Sequence, residues 1–189
     1  MTYSIATLPL SKPMQDLSQR ELLSYRDWFL RNIDQRVDEL ARLVIGTNGY
    51  ADWTADFTPA SLSRLGEWFR GAVVVAPLDE RERARIKAKF PFPIEAPTEE
   101  LSAETLSIAM DVGIYFGEVI RKNVSGTKWD QPTKNKKFAD YGHMVLMEFG
   151  SVPLNPIRLT ITLAFAFAAK EQSGSRLREL FDIWSQMRK

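Results

Sequence analysis

The sequence predicts a mostly helical α+β fold, with about six helices around one small antiparallel β-hairpin. Apolar residues recur at three- and four-residue spacing along most of the 189 positions, the mark of helices that bury one face. Start signals, in which Ser, Thr, Asp or Asn precedes the periodic run, stand at the head of several of these stretches. Two short segments, one opening at Lys128 and Trp129 and one at 144–149, read as paired strands across a polar turn.

Residues 1–16 read as an extended arm, because Pro9 and Pro13 oppose regular structure, and residues 17–189 as a single globular domain. A chain of this length can bury roughly 70% of its unfolded surface, so a core forms without covalent staples. Ser18 and Glu21 have the spacing of a capping box. Leu22, Tyr25, Phe29, Ile33, Leu40 and Leu43 then recur helically, and Gly46 and Gly49 end the helix. The loop 52–57 is acidic and aromatic and carries Trp53 and Asp56. Thr58 and Pro59 signal an N-cap and first-turn proline for a second helix through Phe69.

Val73, Val74 and Val75 suit a brief strand or a crossing of the core. A charged helix over 79–89 places acids early and bases late, matching the helix dipole. Phe90-Pro91-Phe92-Pro93 continues extended. Ser102 opens a fourth helix to about Asn123, which Gly126 breaks before the hairpin. In the second strand Val145, Met147 and Phe149 share a face. Asn155 and Pro156 favour a helix over 157–170, although Thr160, Ile161 and Thr162 suit a strand. Ser173-Gly174-Ser175 precedes a last amphipathic helix with Leu177, Leu180, Phe181 and Trp184.

Composition excludes several chemistries. Without cysteine there is no disulfide framework, thiolate metal site, iron–sulfur cluster or Cys nucleophile. His143 stands alone, so no two-histidine metal site forms, and no Gly-x-Ser-x-Gly elbow accompanies it; the start of a strand is its expected place. Phosphate-binding glycine loops are absent, and Ser125-Gly126-Thr127-Lys128 matches Ser-x-x-Lys without its companion motifs. A net charge of +1 gives the whole molecule no strong pull toward nucleic acid or anionic membrane. The first ten residues lack a signal-peptide pattern, and the apolar run at 159–169 is too short to span a bilayer. A soluble, cytoplasmic protein without a cofactor is expected.

The fourth helix holds the densest pattern. Leu106, Met110, Gly113, Gly117 and Ile120 share one face, where two glycines let another backbone approach or leave room for a ligand. Asp111, Tyr115, Glu118 and Lys122 form a polar stripe expected to face solvent or a partner. Asp111 and Glu118 stand two turns apart, about 10.5 Å along the axis at 1.5 Å per residue. That exceeds the roughly 5–9.5 Å of a glycosidase carboxylate pair, which argues against bond cleavage between them. Between 121 and 137, Arg121, Lys122, Lys128, Lys134, Lys136 and Lys137 outnumber Asp130; a short charge run of this kind reads first as a solvated loop, and otherwise suits an acidic protein surface or, with Trp129 and Phe138 stacking, nucleic acid.

The segment Asp111-Val112-Gly113-Ile114-Tyr115-Phe116-Gly117-Glu118-Val119-Ile120-Arg121, with Trp129 about a dozen residues beyond Gly117, resembles a pattern of uncharacterised bacterial proteins. In those an aromatic-x-Gly-Glu-x-Ile/Leu helix leads into a Trp-bearing hairpin. Some resemble immunity proteins that neutralise toxins deployed between bacteria. The likeness spans 111–149, a minority of the chain, and implies an α+β arrangement with no catalytic residues.

The expected function is therefore non-catalytic binding of another protein, most concretely as an immunity-type inhibitor of a toxin. Trp53, Asp56, Asp111, Tyr115, Glu118, Lys128, Trp129, Lys134, Lys136 and Lys137 are the partner-binding candidates. A small-molecule or catalytic pocket against Gly113 and Gly117 is the first alternative, and nucleic-acid binding through 121–137 the second, disfavoured by the near-neutral charge.

Overall fold

A computed structural model describes residues 3–148 and 152–187. The elements are α1 (Gln19–Ile45), α2 (Ser61–Ala72), β1 (Val75–Pro77), α3 (Glu80–Lys87), β2 (Glu99–Leu101), α4 (Ala103–Asn123), β3 (Lys128–Asp130), β4 (Val145–Met147), α5 (Pro156–Ala168) and α6 (Arg176–Gln186). This is the mostly helical α+β arrangement expected, with six helices among the described residues. The strand pair β3–β4 is antiparallel, with Trp129 opposite Leu146. A second antiparallel pair, β1–β2, sets Val75 opposite Leu101 and closes the excursion that carries α3.

Local chemistry fixes the helix starts. Ser18 Oγ accepts from the Glu21 amide at 3.3 Å while the Ser18 amide donates to Glu21 Oε2 at 2.7 Å, so the capping box forms as spaced. Asp79 and Glu82 make the same reciprocal pair before α3. The second helix differs from expectation: Thr58 Oγ1 accepts from the Ser61 amide at 3.3 Å in a turn, and the regular helix opens only at Ser61. Residues 157–168 are helical despite their β-branched run, because Asn155 caps the Arg158 amide and Pro156 takes the first turn. Thr160 and Thr162 bond their hydroxyls to carbonyls one turn back, which accommodates both in a helix.

The core gathers around α4, which packs most extensively on α5 and also meets α1, α2 and α6. From Ser107 to Ile120 every residue of α4 is buried. A helix stretch enclosed on all sides has no solvent face, so Asp111, Tyr115 and Glu118 of the expected polar stripe face protein, while Lys122, beyond the buried stretch, stays exposed. Leu106, placed by spacing on the packed face, is 41% exposed because continuous burial begins one residue later. Residues 3–16 end in a short 3-10 turn at Met14–Asp16 and lie along the domain, with Tyr3, Ala6 and Leu10 against the core. Phe149 lies outside the described residues.

Candidate functional site

Three polar residues of α4 each bind a different part of the chain. Asp111 is completely buried, and Arg36 of α1 grips it with Nε on Oδ1 at 2.7 Å and Nη2 on Oδ2 at 2.5 Å. The Tyr3 hydroxyl donates to the same Oδ2 at 2.5 Å, and Arg36 Nη1 donates to the Ser4 carbonyl at 2.9 Å. Burial pushes the Asp111 carboxyl up, against the pull of Arg36 and Tyr3. Burial also disfavours the Arg36 charge, yet the Asp111 hydrogen bonds hold the guanidinium above its ordinary value. Tyr3 is raised by burial, with the carboxylate adding to it. The arm, α1 and α4 are thus joined at one ion pair.

One turn on, the Tyr115 hydroxyl sits 2.7 Å from Ser61 Oγ and accepts the Phe57 amide at 3.1 Å. Its ring meets Trp53 edge-on at a centroid separation of 5.5 Å. Burial raises the phenol, so it serves as a neutral hydrogen-bonding post. Phe57 adopts φ 59°, which turns its amide into this contact and its ring under Lys122, whose Nζ lies 3.3 Å from the ring centroid.

At Glu118 the partner is the hairpin. Trp129 Nε1 donates to Glu118 Oε1 at 2.8 Å, and Arg121 donates to both carboxylate oxygens at 2.9 and 2.7 Å. Burial works to raise this carboxyl, but the Arg121 and Trp129 hydrogen bonds hold it below its ordinary value. The glycines explain the approach. A Cβ on Gly117 would overlap the Trp129 ring, and one on Gly113 would lie 2.8 Å from the Ile157 Cα and 2.7 Å from Thr160 Oγ1. Both are packing devices for α5 and Trp129, and the space that the alternative of a pocket would need against them is filled.

Four of the partner-binding candidates lie buried inside the fold. Asp111, Tyr115 and Glu118 are spent on internal ties, and Trp53 is 4% exposed with its indole N–H on the Ser61 carbonyl. Trp129 is half-buried between Gly117 and Phe29. Asp56 is exposed, although its carboxylate accepts from Thr58. Lys128 pairs with Glu148 at 3.7 Å, and Lys136 donates to the Gln15 carbonyl at 3.0 Å. The ammonium groups of Lys134 and Lys137 meet no partner among the described residues, and both are exposed. His143 is half-buried just before β4, where burial, with Arg158 adding, lowers its imidazole.

Tyr3, Arg36, Ser61 and Thr160 were missed as partners of α4. One signal pointed to Tyr3 and Arg36: in the fourteen residues from Ser107 to Ile120 two acids interrupt a mainly apolar run, and buried acids require partners elsewhere. Among the described residues no cluster of His, Asp or Glu is arranged to hold a metal ion, and no helix is long and apolar enough to cross a membrane. Comparison with known proteins finds no matching family model, no matching curated protein and no matching solved structure.

Proposed function

We propose that the chain is a non-catalytic protein-binding domain whose concrete role is to inhibit a bacterial toxin, as an immunity protein does, with a cytoplasmic location. The observation that carries the reading is the β3–β4 loop, which displays Lys134 and Lys137 to solvent with uncommitted ammonium groups. The loop is held from beneath: Gln131 Nε2 donates to the carbonyls of Leu22 and Gly142 at 3.0 and 2.9 Å. A cationic loop on a rigid base steers association with an acidic surface and loses little entropy on binding. The engagement of Asp111, Tyr115 and Glu118 inside the fold supports the non-catalytic part, since none of the three is left for a substrate.

The test is titration of the purified chain with the product of a toxin-like gene adjacent to its own. A stoichiometric complex is expected, weakened about tenfold, or roughly 1.4 kcal/mol, in the K134E/K137E variant. No complex, or a complex indifferent to that charge reversal, overturns the reading. Binding to a single-stranded oligonucleotide that falls steeply with salt would favour nucleic acid instead.

A further inference from the structure

Between the end of α1, α2 and the start of α4 lies a cavity of 540 Å³ that none of the three ties uses. Its size falls within the roughly 300–1,000 Å³ of small-molecule sites. Leu43, Tyr50, Trp68 and Ile108 give it largely apolar walls, and Glu104 is the one charged residue among those lining it. The other polar wall groups are already committed. Trp68 Nε1 donates to Thr47 Oγ1 at 2.9 Å, and Thr47 in turn donates to the Leu43 carbonyl. Ser102 Oγ donates to Thr105 Oγ1, which donates to the Val74 carbonyl. What stays uncommitted among the described residues is the Glu104 carboxylate on the rim and the Tyr50 hydroxyl, an acceptor set beside aromatic surface.

We infer that this cavity binds a small organic cation with an apolar body, the class of an arylalkyl ammonium. The body replaces water against the leucine and aromatic walls, the source of the affinity. The ammonium, with donors and no acceptor, matches Glu104 and Tyr50, whereas a carboxylate would be placed against Glu104, and the guanidinium that lies on the Tyr50 ring, Arg64, is already paired with Asp52 at 2.7 Å. The inference stands apart from the toxin reading, which uses Lys134 and Lys137 of the β3–β4 loop, neither of which lines this cavity.

The test titrates the ¹⁵N-labelled full chain with 2-phenylethylammonium, 2-phenylethanol and 3-phenylpropionate. Saturable shifts are expected at the Trp68 indole N–H and at the Gly71 and Thr105 amides. The ammonium should bind about three- to fivefold tighter than the alcohol, the size of an exposed ion pair, and the carboxylate more weakly than either. Glu104 is exposed and unpaired, so Glu104→Gln should keep the spectrum and the alcohol affinity while bringing the ammonium down to the alcohol. An ammonium that gives no saturable shift at these positions, that binds no better than the alcohol, or whose preference survives Glu104→Gln overturns the assignment.

Discussion

Trp129 occupies the volume that a side chain on Gly117 would need, and from that seat donates its indole N–H to Glu118 at 2.8 Å. The missing Cβ and the acid one residue later act together: one admits the ring, the other orients it. The ring also meets Phe29 of α1 edge-on at 5.0 Å, so the hairpin is clamped between two helices. Gly117→Ala should force the indole outward at a cost of about 1–3 kcal/mol, the usual range for overpacking. Thermal melting measures it, and a variant as stable as the parent would show that the ring has room to yield.

Asp111 and Arg36 make the costliest tie to break. Asp111→Asn leaves a guanidinium buried without its counter-charge, which should destabilise by about 3–5 kcal/mol in urea unfolding. Replacing both partners by apolar residues, as in R36M/D111L, should restore much of that loss. Tyr3→Phe removes a hydrogen bond to a carboxylate and should cost about 1.5–3 kcal/mol while leaving the ion pair in place.

Tyr115→Phe keeps the ring contacts with Trp53 and Phe57 but deprives the Phe57 amide and Ser61 of a shared partner. A loss of about 1–3 kcal/mol is expected. Amide exchange should speed up locally at Phe57 and Ser61, which a uniform loss of stability would not produce.

Glu118 titrates below its ordinary value of 4.5, so the folded chain binds its proton less readily than the unfolded chain. Its stabilisation is complete above about that value and disappears as pH falls through the folded one. Glu118→Gln should therefore flatten the acid limb of a stability–pH profile. His143, held below its ordinary 6.5, has the same sign in a higher window, and an NMR titration of its ring should place its midpoint below 6.5.

The features written in neighbouring residues were the legible ones. The capping box of Ser18 and Glu21 depends on side chains three apart, and the glycine pair of α4 is a local pattern whose packing role the spacing conveyed. What escaped was the direction each face looks. A helical wheel places Asp111, Tyr115 and Glu118 together, but the elements that cover them come from residues 3, 36, 57, 61 and 129, and no local pattern records that convergence. The strand Glu99–Leu101 was equally hidden, since three residues with two acids carry little strand preference and pair through their backbones. The run Lys134-Asn135-Lys136-Lys137 was readable because those four residues hold nothing apolar and no opposite charge.

The convergence on α4 also sets an order of events during synthesis. A chain leaving the ribosome from its N-terminus presents Arg36 and Tyr3 long before Asp111 exists, and Ser61 before Tyr115. The first hundred residues therefore emerge with the seats for a helix they do not contain. Translation of residues 103–123 supplies it, and completion of the early helices should come as one late step rather than element by element.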